Sequence, residues 1–201
     1  LIKRSKIFHY GSLSMTHDKN YEATQYAIQV AKDNGCLISF DPNLRLSLWK
    51  TPEEARRRIL YGMKQCDIMK ISEEEVAFVS EQESLEKGVS FIRDNSDIKI
   101  LFVTLGNKGS IAYYKDEKIY CGGIHQEHVV DTTGAGDTFC GAVLSRILEL
   151  GTDALTEKDI REMLLFANAA ASIVVTRKGA LCSMPEPEEI RAASSLIDKV
   201  L

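Results

Sequence analysis

The chain has 201 residues, 44% of them hydrophobic and 27% charged, with a formal net charge of −4. That composition is ordinary for one well-buried globular domain, and an acidic balance without a long Lys/Arg block argues against nucleic acid as a partner. No apolar run approaches the ~20 residues of a membrane span, and the first residues lack the apolar core of a signal peptide, so a soluble, cytoplasmic protein without a membrane partner is expected.

The segment Lys6-Ile7-Phe8-His9-Tyr10 predicts a buried strand ending in a Gly11-Ser12 loop. Helical character follows over 18–32, with Tyr21, Tyr26, Ala27, Ile28, Val30 and Ala31 as its apolar face and Asn34-Gly35 as a stop signal. Cys36 to Phe40 predicts a short strand. It runs into Asp41-Pro42-Asn43-Leu44-Arg45, at the strand end where ligand sites of open α/β sheets gather. Pro42 fixes the turn, and Asn43 and Arg45 present donors for a sugar hydroxyl, carboxylate or phosphate. An Asx-type turn with a solvent-facing Arg accounts for the same residues equally well. Trp49 reads as packing before ligand stacking.

Thr51-Pro52-Glu53-Glu54 is a capping box with Pro at the first helical position, opening a helix to about Lys64. Ile68-Met69-Lys70-Ile71 predicts the next buried strand, and Ser72-Glu73-Glu74-Glu75 has capping-box spacing again. A helix from about Ser84 to Arg93 leads to the strand 98–104, whose near-continuous apolar and β-branched character fits burial on both faces. Leu105-Gly106-Asn107-Lys108-Gly109 is a Gly-rich turn, and the stretches 110–114 and 118–121 predict a hairpin about Lys115-Asp116. The five cysteines are scattered and contain no C-x-x-C pair, which predicts reduced thiols. His125 and His128 are spaced for opposite faces of an extended segment and read as strand or loop residues rather than a metal pair.

The run from Val129 to Ala142, Val-Val-Asp-Thr-Thr-Gly-Ala-Gly-Asp-Thr-Phe-Cys-Gly-Ala, predicts a short strand at 129–130 that turns through small residues into a helix continuing to about Leu150. Gly134, Ala135 and Gly136 let backbone N–H groups approach a ligand, and the first N–H groups of the helix lack intrahelical partners, which together bind anions. Asp137 within an anion site suits a general base that takes the proton of a hydroxyl. Its place in a first helical turn is also favoured by ~0.3–1 kcal/mol through the helix dipole alone. A second long helix runs from about Glu157 to Ile173-Val174, with small residues around Asn168 for close packing, and a last helix from about Glu186 to Val200. Strands alternating with helices imply a three-layer α/β/α sandwich with a mostly parallel sheet, within a single domain over 1–201.

The whole 129–142 run resembles the second signature of the ribokinase-like (PfkB) carbohydrate and nucleoside kinases, and Phe40 to Arg45 resembles their fructokinase and 2-keto-3-deoxygluconate kinase branches. The resemblance implies that Gly134, Ala135 and Gly136 form the anion hole and that Asp137 is the catalytic base. It implies Asn43 and Arg45 as substrate or phosphate contacts, and Thr104, Gly106, Gly109 and Asn168 as nucleotide neighbours, the last with the segment 176–180. Glu75 matches the Glu of an Asn-x-x-Glu element that organises Mg²⁺ through its waters, although Ser72 departs from the Asn. Asp131, Thr133, Gly179 and Ser183 correspond to a monovalent-cation site, suited to K⁺. The implied activity is ATP-dependent phosphorylation of a sugar hydroxyl, fructokinase-like ahead of 2-keto-3-deoxygluconate kinase or ribokinase, with sugar and ATP as partners and oligomerisation open.

The resemblance covers the C-terminal portion of that fold, so N-terminal strands, the β-sheet lid and the first Gly-rich signature are expected to lie outside this sequence. A non-catalytic nucleotide- or sugar-binding fragment is therefore the alternative. A dinucleotide-dependent oxidoreductase is opposed by the absence of a Gly-x-Gly-x-x-Gly opening a first βαβ unit.

Overall fold

The computed structural model describes residues 1–197 and divides the chain into two compact units, 1–103 and 104 onward. The first unit alternates strands and helices. Strands β1 (Ile7–Gly11), β2 (Leu37–Asp41), β3 (Ile68–Ser72) and β4 (Ile100–Thr104, ending one residue past the boundary) lie side by side in that order. Between them come α1 (Asp18–Asp33), α2 (Pro52–Met63), α3 (Glu73–Ser80) and α4 (Leu85–Asp94). Strand β1 runs parallel to β2 with Gly11 opposite Asp41, and β2 runs parallel to β3 with Ser39 opposite Ile68. Parallel pairing needs a crossover, which α1 and α2 supply.

Ile38, Phe40, Ile68, Met69 and Ile71 are each at most 1% exposed. Burial of successive residues means that both faces of β2 and β3 are covered, as their continuous apolar character requires. On α1 the buried face is Thr24, Ile28 and Ala31, narrower than the expected apolar face. Tyr26 is 74% exposed, because two residues along a helix turn a side chain to the opposite side from Ile28. Trp49 is buried, as a packing residue should be. Thr51 accepts the Glu54 N–H at 3.1 Å with Pro52 at the first helical position, which is one half of the box predicted there, and Ser72 and Glu75 form the full reciprocal capping box on α3. Since β2 and β3 are parallel, Asp41 and Ser72 leave the same edge of the sheet.

In the second unit, β5 (Gly109–Tyr114) and β6 (Glu117–Gly122) form the predicted hairpin, antiparallel with Gly109 opposite Gly122 and Tyr114 opposite Glu117. Helices α5 (Ala135–Leu150), α6 (Glu157–Val174) and α7 (Pro187–Ile197) follow. The predicted end of the last helix at 198–200 lies outside the described residues. Helix α6 packs on both strands of the hairpin and on α5, and Ala167, Ala169 and Ala170 are fully buried, so their small side chains admit a close approach.

One predicted element of this unit is absent. Val129 and Val130 are loop residues, each 58% exposed, rather than a strand. The N–H groups of Val130 and Asp131 both donate to the Val175 carbonyl at the end of α6, at 2.8 and 3.2 Å. One carbonyl offers no ladder to extend, so β-branched residues here serve as a tether. His125 and His128 lie in the same loop. All five cysteines are free thiols, and no helix among the described residues is long and apolar enough to cross a membrane.

Candidate active site

In the second unit, the chain enters α5 through Gly134, whose φ of +83° lies in the left-handed region open to glycine. A side chain there would be strained, and its Cβ would also touch Ala180 at 3.5 Å. The bond from the Thr138 N–H to the Gly134 carbonyl at 2.8 Å opens the helix, so the amides of Gly136 and Asp137 fall in a first turn at the helix dipole's positive end, while the Ala135 N–H donates to the Thr132 carbonyl at 3.2 Å. Asp137 is exposed in that turn. Thr138, next to it, is buried with its hydroxyl unpartnered among the described residues.

The loop before Gly134 is fastened by Asp131. One carboxylate oxygen accepts the Thr133 N–H at 2.9 Å and the other accepts the Gly179 N–H at 3.3 Å. These bonds, led by the Thr133 hydroxyl and amide, hold the Asp131 carboxyl below the usual carboxylate range. Ser183 donates its hydroxyl to the carbonyls of Gly179 and Ala180, the latter at 2.7 Å. Asp131, Thr133, Gly179 and Ser183 thus form one hydrogen-bonded group beside the start of α5, although 48 positions separate Asp131 from Gly179.

The loop after β4 lies in the same unit. Leu105 N–H bonds the Gly109 carbonyl at 2.8 Å, closing the turn that contains Gly106. At Gly109, with φ +105°, a Cβ would lie 2.2 Å from the Cys121 carbonyl oxygen and 2.5 Å from the Gly123 nitrogen, so only glycine lets β6 cross there. Asn168 on α6 holds the same crossing. Its Oδ1 accepts the Ser110 hydroxyl at 3.0 Å, and its Nδ2 donates to the carbonyls of Cys121 and Gly122, each at 3.2 Å. Thr104, Gly106, Gly109 and Asn168 are therefore brought together around the mouth of one hairpin.

In the first unit, the Asp41 to Arg45 turn hangs on two carboxylates. Asp41, 3% exposed at the end of β2, accepts the Asn43 N–H at 3.1 Å, and Glu75 Oε1 accepts the Leu44 N–H at 2.6 Å. Asn43 takes a left-handed φ of +44°, tolerated by Asn more readily than by most residues. Arg45 is exposed and donates to the Leu44 carbonyl at 3.0 Å. Glu75 is 9% exposed, and its second oxygen accepts the Ser72 N–H at 2.9 Å. Lys70 on β3 pairs with Asp41 at 3.1 Å, both side chains buried. Burial outweighs that pairing and pushes the Asp41 carboxyl up to about 6, with the nearby Glu75 charge adding to the rise.

A family model described as the pfkB family carbohydrate kinase matches residues 1–187. The chain belongs to this family. Among its relatives, fructokinase-1 of Oryza sativa subsp. japonica is 42% identical over 192 residues, covering 94% of this chain and 58% of the relative. A fructokinase of Vibrio cholerae O395, solved in a form binding fructose, ADP and calcium, matches with a TM-score of 0.85 at 31% identity, over 92% of this chain and 59% of that one. A fructokinase of Xylella fastidiosa with bound ATP matches with a TM-score of 0.88 at 26% identity, over 98% and 63%. This pfkB-family chain thus spans about three fifths of the length of each of these three.

Within the family frame, one feature of the site was not expected from the residues alone. The Lys70–Asp41 pair lies directly beneath the Asn43 turn. A lysine inside the apolar strand Ile68-Met69-Lys70-Ile71 is the one signal that could have flagged it, since a buried charge needs a partner. Its partner on β2, 29 positions earlier, is not readable from local pattern.

Proposed function

We propose that this pfkB-family protein transfers the γ-phosphoryl group of ATP to a sugar hydroxyl, with fructose as the acceptor ahead of ribose and 2-keto-3-deoxygluconate. The observation carrying the reading is Asp137, an exposed carboxylate set in the outward-facing first turn of α5 directly behind the left-handed Gly134. Phosphoryl transfer needs little covalent help from a protein; it needs positioning, a base for the acceptor hydroxyl and donors for the charge on the moving group. Asp137 accepts the hydroxyl proton as the oxygen attacks phosphorus, and the Gly134 and Gly136 amides stabilise the phosphoryl oxygens, joined by the Ala135 amide once it leaves the Thr132 carbonyl. The names of the relatives support fructose as acceptor, and Asn43 and Arg45 are its proposed polar contacts.

Thr104, Gly106, Gly109 and Asn168 are the proposed nucleotide neighbours. For Asn168 the bonds to Ser110, Cys121 and Gly122 support an indirect role, in which it shapes the loop and leaves contact to its neighbours. Mg²⁺ neutralises phosphate charge when bound, and Glu75 fits it through water rather than by direct ligation, because both its oxygens already accept N–H bonds. Among the described residues no three His, Cys, Asp or Glu side chains converge to hold a metal directly. The oxygens around Asp131, Thr133, Gly179 and Ser183 fit K⁺, which would stiffen the loop ahead of Gly134.

Asp137→Asn keeps the size of the side chain and should lower kcat for fructose phosphorylation ~10²–10⁴-fold, the usual contribution of a positioned base. The measurement is an ATP-coupled assay of the intact gene product across fructose, ribose and 2-keto-3-deoxygluconate. Activity surviving within a few-fold removes the base from Asp137, and a folded protein that phosphorylates none of the three removes the kinase reading.

A further inference from the structure

Glu75 is nearly buried, and each of its oxygens accepts a backbone N–H from a different segment. Oε2 takes the Ser72 amide and completes the cap of α3, while Oε1 reaches across to the Leu44 amide at 2.6 Å, 31 positions earlier. The second bond has no part in capping a helix. It holds the middle of a turn whose preceding residue, Asn43, sits in the left-handed region and whose following residue, Arg45, is exposed. A left-handed non-glycine residue persists only where its surroundings impose it, and here the Asn43 and Leu44 amides are fixed by successive carboxylates, Asp41 and Glu75.

We propose that Glu75 is a positioning residue for the Asp41–Arg45 turn, setting acceptor affinity through the Leu44 amide rather than only serving the metal. This rests on the reading of Asn43 and Arg45 as acceptor contacts. Locking the turn before the acceptor arrives removes ordering that binding would otherwise have to supply, so loss of the lock falls on acceptor binding.

Glu75→Asp isolates the Leu44 bond. Aspartate at this helical position still closes a capping box, as Asp159 does with Thr156 at the start of α6, but one methylene less cannot also reach Leu44. The variant keeps the charge and keeps the α3 cap. In metal-free protein without ligand, the Leu44 amide should exchange with solvent about tenfold faster while the Asn43 amide, held by Asp41, changes little. In the intact gene product at saturating ATP and Mg²⁺, KM for fructose should rise about tenfold, the size expected for losing one hydrogen bond to a charged group, and by a larger factor than the KM for ATP or the Mg²⁺ requirement.

Unchanged Leu44 exchange together with an unchanged fructose KM overturns the proposal. So does a variant whose only defect is a higher Mg²⁺ requirement, which would leave Glu75 to the metal alone. Should the unaltered protein phosphorylate no sugar, the kinase reading fails separately, and the exchange measurement in metal-free protein still decides whether Glu75 holds the turn.

Discussion

Asn168→Ala tests how much of the second unit depends on one buried amide. The side chain is 7% exposed and makes three hydrogen bonds, accepting from the Ser110 hydroxyl and donating to the Cys121 and Gly122 carbonyls. Alanine removes all three and leaves a buried hydroxyl and two carbonyls short of a partner. At ~1 kcal/mol net for each bond, the expected loss of stability is ~3 kcal/mol. For a chain of this length that corresponds to a fall in Tm of ~6–12 °C. Asn168→Asp is a sharper probe, because it retains an acceptor for Ser110 but turns a carboxylate toward two carbonyl oxygens. It should lose at least as much stability as the alanine variant near neutral pH. Urea unfolding followed by circular dichroism measures both. A loss below ~1 kcal/mol for alanine, or an aspartate variant as stable as the unaltered chain, would refute the argument that this amide ties α6 to the hairpin.

Two other substitutions follow from the same geometry. Gly109→Ala places a Cβ 2.2 Å from the Cys121 carbonyl at a φ of +105° and should destabilise by ~3 kcal/mol or more, whereas Gly141→Ala, on the exposed side of α5 with nothing within 4 Å, should stabilise by ~0.5–1 kcal/mol; thermal unfolding of the pair checks both signs. Lys70→Met removes the partner of Asp41. Because the Asp41 carboxyl is raised to about 6 in the folded protein, its contribution to stability is full below the unfolded carboxyl range near 4 and is lost as pH rises through about 6. Lys70 limits that loss, so its removal should cost ~1–3 kcal/mol at about pH 8 and little at about pH 5, by urea midpoints. An equal cost at both pH values would show that packing, not charge, is what the lysine supplies.

Much of the chain's organisation is local and therefore readable. The cap at Thr51, the capping box at Ser72, the Gly134 entry to α5 and the hairpin about Lys115-Asp116 are each decided by residues a few positions apart, and each appears where the pattern places it. The apolar strands are readable for the same reason, since residues covered on both faces admit little polar interruption. Val129-Val130 misleads because β-branched residues carry strand character wherever they occur, while a strand also requires a neighbour to pair with, and here the Val130 and Asp131 amides share the single Val175 carbonyl. Tyr26 misleads because an aromatic ring in a helix counts toward an apolar face whichever way it points.

What the amino-acid sequence determined by itself is the alternating α/β pattern, the small-residue loop 134–136 with its following carboxylate, and through the extent of those motifs the pfkB family. Only the tertiary structure decided which residues serve each other across the fold. Lys70 meets Asp41 across 29 positions, Glu75 meets Leu44 across 31, and Asn168 meets Ser110 across 58. Hydrogen bonds and ion pairs form between groups that packing brings within about 3 Å, and the strand register and helix docking that do so are set by the whole core rather than by any stretch of neighbouring residues.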